Sequence, residues 1–298
     1  MKVLGSYTNG NYKVVIFDDG TKIRVNDLDY LESEFPESID LCITKYCEQG
    51  CKFCYNCSSK EGKHADLSDL SFLDDAVPYQ EVAIGGGDAM SHPQLIPFLK
   101  ELKDRKLIAN LTVHQNSFMK NVDLLRELCK EGLVHGLGVS LYEPTDNFIR
   151  EVREFPNAVL HVVNGVVKVE DLTYLSGLGL KILILGYKDI GRGERYKQQY
   201  LIQHEFRKNK LYNSLEDIFR SQWFQVVSFD NLALEQLEPK RFLTDKQWKQ
   251  MYMGDDGEYT FYIDLVDRTY AQNSLSDIHY DMENKTVKEM FTHIKNEK

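Results

Sequence analysis

Four cysteines, Cys47, Cys51, Cys54 and Cys57, fall within eleven residues of the stretch LCITKYCEQGCKFCYNCS, which runs from 41 to 58. The first three are spaced C-x3-C-x2-C, with Phe53 immediately before the third. Thiolates this dense hold a metal more readily than they pair as disulfides in a chain made for a reducing compartment. The N-terminus MKVLGSYTNGNYKVV has no apolar signal-type segment, and no run approaches eighteen apolar residues. The expected location is therefore cytoplasmic. A net charge of −10, from 36 basic and 46 acidic residues, argues against broad electrostatic binding to nucleic acid or to an anionic membrane.

Three thiolates at this spacing can each take one iron corner of a [4Fe–4S] cube, which leaves the fourth iron without a protein ligand. Full protein ligation uses four cysteines. Two other readings stay open. With Cys57 as fourth ligand the cluster would be closed, as in an iron–sulfur electron-transfer protein, since Cys51, Cys54 and Cys57 alone read C-x2-C-x2-C. A structural zinc-binding module is the other, although no second C-x2-C or histidine pair follows at the distance such sites use. Cys42 lies in a strand pattern and Cys129 in a helical one, and both read as small core residues.

The elements that must position these thiols follow from residue 39 onward. Short apolar runs bounded by Gly, Asn, Asp or Pro predict strands at 39–44, 81–84, 109–114, 136–141, 159–163 and 181–185. Helical periodicity lies at 93–106, 122–131 and 169–178. This alternation indicates βαβ units and a parallel sheet. Six units are too few for a closed eightfold barrel, so the expected fold is α/β, a partial (βα)6 TIM-like barrel, with a doubly wound sheet as the alternative. A β-hairpin around Asp18-Asp19-Gly20 and a short acidic helix at 27–34 precede it. A helix at 202–219, a seventh strand at 225–229 and a helix capped by Asp230 or Asn231 follow. A small α+β C-terminal extension has a strand at 260–266 and a helix at 286–294. The expected domains are 1–36 (hairpin), 37–235 (barrel) and 236–298 (extension). Polar residues gather just past the strands: Lys45 onward, Gly85 to Asp88, His114-Gln115-Asn116, Ser140, Asn164 and Tyr187-Lys188. Parallel α/β folds carry their sites at these carboxyl ends.

The motif Cys47-x3-Cys51-x-Phe53-Cys54 in the loop after the first core strand, with Ile84-Gly85-Gly86-Gly87-Asp88 after the second, resembles the signature of the radical S-adenosylmethionine (radical SAM) superfamily. The resemblance covers roughly 39–188. It implies a [4Fe–4S] cluster on Cys47, Cys51 and Cys54, and S-adenosylmethionine as cofactor. It also implies reductive cleavage of that cofactor and hydrogen abstraction from an unidentified substrate (a peptide, a nucleoside or a small metabolite). A reductant such as flavodoxin or ferredoxin is the implied partner. Gly85, Gly86 and Gly87 are implied to bind the methionyl ammonium with Asp88 as acid partner; the family more often has Glu directly after two glycines. Ser140 is implied to lie near the ribose or the methionyl carboxylate. The stretches 162–165, with Asn164, and 185–187, with Tyr187, would flank the adenine, and the backbone of Tyr55 would reach its edge. Asn116 and His114 would point toward cofactor or substrate, while His161 reads as structural. Gly191-Arg192-Gly193 reads as an anion-contacting turn or a solvated loop. The tail YTFYIDLVDRTY, at 259–270, is similar in rhythm to the SPASM or twitch extension of peptide-modifying members. No cysteine follows Cys129, so no second cluster is expected there.

Overall fold

In the computed structural model, which describes residues 1–297, the N-terminal segment forms an antiparallel sheet of β1 (Val3–Asn9), β2 (Tyr12–Phe17) and β3 (Lys22–Val25). The hairpin expected over Asp18-Asp19-Gly20 joins β2 to β3. A further strand, β1, precedes it. The acidic helix expected at 27–34 does not form. Side-chain carbonyls take the amides that a helix would use. Asn26 Oδ1 accepts from the Leu28 N–H (2.5 Å), Asn11 Oδ1 from Glu32 (2.8 Å) and Asn9 Oδ1 from Glu34 (2.7 Å). The Asn26 contact is the local competition that makes asparagine favour turns over helix interiors, whereas Asn11 and Asn9 come from a distant turn and strand.

The main sheet begins with β4 (Ser38–Thr44), β5 (Glu81–Gly86), β6 (Ile108–His114), β7 (Gly136–Ser140), β8 (Ala158–Val163), β9 (Lys181–Leu185) and β10 (Val226–Phe229). These seven run parallel and lie side by side in chain order. A doubly wound sheet would reverse that order midway. Winding in one sense is the barrel pattern instead. Among the described residues the ring is not closed: β11 (Thr260–Asp264) extends the sheet parallel to β4, and β12 (Thr269–Ala271) and β13 (Tyr280–Asp281) continue it antiparallel. The C-terminal extension is thus joined to the barrel by strand pairing.

The helices are α1 (Leu95–Asp104), α2 (Gln115–Lys120), α3 (Val122–Lys130), α4 (Asp146–Val152), α5 (Val169–Leu175), α6 (Arg192–Gln199), α7 (Leu201–Arg220), α8 (Asn231–Leu237), α9 (Asp245–Met251) and α10 (Val287–Asn296). Strand side chains alternate between two faces. Ile39, Leu41, Val82, Ile84, Leu137, Val139, Ile182 and Ile184 share one buried core with helical leucines such as Leu99, Leu125, Leu172 and Leu215. The opposite face carries the polar rungs: Asp40 beside Ala83 and Asn110, Cys42 beside Gly85, Thr112 beside Gly138, and His114, Ser140 and His161 in one row. Gly138 makes room for that row, since a Cβ there would lie 2.4 Å from the His161 ring. Burial pushes His161 down to about 4, so the ring is neutral near pH 7.

The N-terminal sheet is tied to the opposite end of the strands. Glu37, wholly buried just before β4, accepts from Tyr12 Oη (2.7 Å) and from Arg24 Nε (2.7 Å) and Nη2 (3.1 Å). Lys22 bridges Glu37 (3.4 Å) and Glu81 at the start of β5 (2.5 Å). Tyr12, Val14 and Ile16 pack on Ile108, which opens β6. These contacts cover the amino-terminal ends of the strands and leave the carboxyl-terminal rim for chemistry.

Candidate active site

The loop after β4 carries the cysteines and is anchored at both feet. Isolated bridges pair Thr44 with His64 and Tyr46 with Ser59, and the Cys47 N–H donates to the Ser59 carbonyl (2.8 Å). Between these anchors Cys47, Cys51 and Cys54 are half-buried free thiols. Burial pushes Cys51 up to about 11, helped by the neighbouring Cys54 and Cys47 and opposed by the Arg192 guanidinium. Cys47 is also raised, first by burial, with Asp88 and Cys54 adding to it and Arg192 opposing. The three thiols therefore sit within reach of one another's charge, and Cys47 and Cys51 within reach of one cation, Arg192. Among the described residues no three His, Cys, Asp or Glu side chains converge on a single-ion site. Ligands of one zinc lie only about 3.8 Å apart, whereas corners of a cube hold their thiolates farther apart. Cys57 differs from the other three: it is exposed, has φ of 52°, and its Sγ lies against Gly191.

The glycine turn at the end of β5 braces the first foot of this loop. The Gly87 N–H donates to the Thr44 carbonyl (2.6 Å) and the Asp88 N–H to the Tyr46 carbonyl (2.7 Å). A Cβ on Gly86, where φ is 116°, would lie 2.4 Å from Thr44 O, and one on Gly87 would lie 2.1 Å from Tyr46 O. Gly85 differs, for a Cβ there would meet nothing within 4 Å. Two of the three glycines thus admit the cysteine loop, and the third leaves open space beside it. The Asp88 carboxylate accepts from Ser117 Oγ (2.8 Å) and lies near enough to Cys47 and His114 to act on both electrostatically.

His114 caps α2: its Nδ1 accepts from the Asn116 N–H (3.1 Å), which leaves the ring proton on Nε2. Burial lowers its pKa while Asp88 raises it. Asn116 Nδ2 reaches back to Gln49 Oε1 on the cysteine loop (3.1 Å). Ser140 sits beside His114 in the next strand. Cys47, Cys51, Cys54, Gly85, Asp88, Asn116 and Ser140 therefore share one rim.

Three other candidates have different surroundings. Asn164 is wholly buried, and its Nδ2 donates to Gln236 Oε1 (3.0 Å). Gln236 also holds both the N–H (2.9 Å) and the carbonyl (2.9 Å) of Tyr187, whose hydroxyl donates to Gly193 O (2.5 Å). Protein groups thus engage the polar atoms of Tyr187. The Tyr55 ring lies under Lys188 Nζ (4.0 Å to the centroid), and its carbonyl abuts Gly191.

Two features of the rim were not evident from local sequence. Gly191-Arg192-Gly193 is neither an anion-contacting turn nor a solvated loop. Arg192 donates from Nε to the Cys51 carbonyl (3.0 Å) and from Nη2 to the Ser58 carbonyl (2.8 Å), while its N–H donates to Cys54 O (3.1 Å). Opposite lies a second polar group, in which Lys188 faces Asp40, Asp230 and Asp256. Burial lowers the Lys188 pKa against the pull of these carboxylates, and its Nζ donates to Ser274 Oγ of the tail (2.6 Å). Asp40, still reached by solvent inside the barrel, is pushed up to about 6 by desolvation, with Lys188 opposing. Asp230 both caps α8 through the Ala233 N–H (2.7 Å) and accepts from the Gly186 N–H (2.8 Å), so cap and rim roles coincide.

Comparison with known proteins agrees with this geometry. Residues 41–186 match the radical SAM superfamily. The crystal structure of Streptococcus suis SuiB bound to S-adenosylmethionine has TM-score 0.62 at 11% identity, over 99% of this chain and 90% of that one. SuiB bound to precursor peptide SuiA gives 0.63 at 12%, over 99% and 88%. At such identities the likeness is one of fold. No curated protein matches the chain in sequence. The cysteine motif and the glycine turn thus both fall in a segment, residues 41–186, that matches the radical SAM superfamily of enzymes, whose cofactors are a [4Fe–4S] cluster and S-adenosylmethionine.

Proposed function

We propose that Cys47, Cys51 and Cys54 hold one [4Fe–4S] cluster whose fourth corner takes S-adenosylmethionine, and that the enzyme abstracts hydrogen from a peptide. The observation that carries this reading is the set of three half-buried thiols, two of them beside the Arg192 cation, next to the open space at Gly85. A cluster held by these thiols would supply the one-electron reduction that activates S-adenosylmethionine for hydrogen abstraction. The chain's own residues bind and orient. Asp88, held by Ser117 Oγ, offers its remaining lone pairs to the methionyl ammonium. Backbone at Gly85 and Gly86 approaches the same group without a side chain in the way. The Nε2–H of His114 and the hydroxyl of Ser140 supply donors along the next strands for carboxylate or ribose oxygens. Tyr55, Asn164 and Tyr187 shape the adenine side mainly through backbone and packing. Lys188, Asp40 and Asp230 form the wall over which substrate is placed.

A peptide is favoured over a nucleoside because the fold likeness to SuiB with its precursor peptide runs through 99% of this chain, including the N-terminal sheet and the tail. Anaerobic reconstitution, reduction and addition of S-adenosylmethionine should yield 5′-deoxyadenosine. Cys51→Ala should take up no cluster, while Cys57→Ala should keep iron content and cleavage near wild type. Loss of the cluster in Cys57→Ala, with no nucleoside formed by the wild type, would favour the closed electron-transfer site.

A further inference from the structure

β4 and β9 stand five places apart in the sheet order, yet the loops that follow them touch. The contact is made across the mouth of an open barrel, where no strand ladder among the described residues closes the ring. It is organised by α6, whose residues 192, 196 and 200 lie one helical turn apart on one face, the last of them capping the helix. Arg192 holds the carbonyls of Cys51 and Ser58 with two arms of its guanidinium, and its own N–H holds that of Cys54. Tyr196 meets the Phe53 ring edge-on at 5.9 Å. Tyr200 takes Lys52, with its hydroxyl 3.4 Å from Nζ. Every residue from Cys51 to Cys54 is thus touched by this one face. The approach is close: a Cβ on Gly191 would lie 2.2 Å from Tyr55 O and 2.9 Å from Cys57 Sγ, and one on Gly193 would lie 3.6 Å from Phe53 O. α6 is otherwise polar and buries only Gly193.

We propose that α6 is a latch for the cysteine loop and that Arg192 is its positioning residue, setting the spacing of the Cys51 and Cys54 thiols from the far side of the barrel mouth. The inference rests on the cluster reading for its consequence, but the latch itself is a property of the apoprotein. A planar fork is needed to hold two carbonyls at once, so lysine is a poor substitute for arginine.

The test uses full-length Arg192→Ala and Arg192→Lys, each first checked for wild-type urea unfolding. In the apoproteins, trypsin cleavage after the exposed Lys52 should rise at least about tenfold in Arg192→Ala, the ratio that the loss of even one charge-assisted bond to a carbonyl produces, and nearly as much in Arg192→Lys. After anaerobic reconstitution, chelator-driven iron loss should quicken about tenfold in both variants, and millimolar guanidinium should restore the wild-type rate to Arg192→Ala alone. Wild-type cleavage rates in both apoproteins would overturn the latch whatever the iron does. Rescue by lysine would overturn the fork. If the wild type itself takes up no iron, the cluster reading fails, and the cleavage rates still decide the latch.

Discussion

Gly85 and Gly87 stand two residues apart in one turn, and alanine should harm them in opposite ways. At Gly87 the new Cβ would lie 2.1 Å from the Tyr46 carbonyl oxygen and 2.8 Å from its carbon. Carbon and oxygen come no closer than about 3.3 Å even in favourable C–H···O contacts, so the two must separate by more than 1 Å on the order of a bond length. The Tyr46 carbonyl cannot simply retreat, because it accepts from the Asp88 N–H (2.7 Å), and the Gly87 N–H is itself bound to Thr44 O (2.6 Å). Losing or stretching two backbone bonds at about 1 kcal/mol each, with overpacking of about 1–3 kcal/mol, gives a destabilisation of about 3–5 kcal/mol for Gly87→Ala. At Gly85 there is no such obstacle and φ is not positive. Replacing a strand glycine there should leave stability unchanged or raise it by about 0.5 kcal/mol. Its methyl would instead occupy the open space expected to receive S-adenosylmethionine and weaken binding by about tenfold or more. Urea unfolding of the two apoproteins and calorimetric titration of S-adenosylmethionine into the reconstituted Gly85→Ala variant separate the effects. Gly87→Ala unfolding within 0.5 kcal/mol or so of wild type, or wild-type cofactor affinity in Gly85→Ala, would refute the division of labour drawn within this turn.

Glu37→Ala should destabilise the chain by about 3 kcal/mol, because it strands Arg24 and deprives Lys22 of one of its two carboxylates; a loss under about 1 kcal/mol in urea would mean that the N-terminal sheet is held by packing alone. Asp40 is an acid whose folded pKa is raised, from 3.8 to about 6, so its ionisation in the folded chain opposes folding as pH climbs through that window. Asp40→Asn should therefore match wild type at pH 3.5 or so and gain relative stability progressively up to about pH 6, with no further gain above it. A pH-independent difference in urea midpoints between the two proteins would rule out that account.

The βα alternation could be read from the chain because it is a local signal. Runs such as 181–185 are apolar, flanked by turn residues and β-rich, and the strand formed there has the bounds expected. The seventh strand and the Asp230 cap were equally legible. The helix expected at 27–34 failed for a reason that is not local: two of the amides there are claimed by Asn9 and Asn11, which a neighbouring strand and turn deliver from some twenty residues away. α6 carried no apolar stripe to betray it, since the half-buried face it turns to the cysteine loop consists of an arginine and two tyrosines that meet backbone carbonyls, an aromatic ring and a lysine.

The spacing of Cys47, Cys51 and Cys54, the glycines before Asp88 and the order of the strands belong to the sequence by itself, because thiol spacing, backbone freedom and side-chain periodicity act over a few residues. Which glycine is open, and that Arg192 should reach the loop of a strand five places away, were decided only by the tertiary structure. Sheet curvature sets which strand ends face each other across the open mouth, and no pattern within either segment encodes that distance.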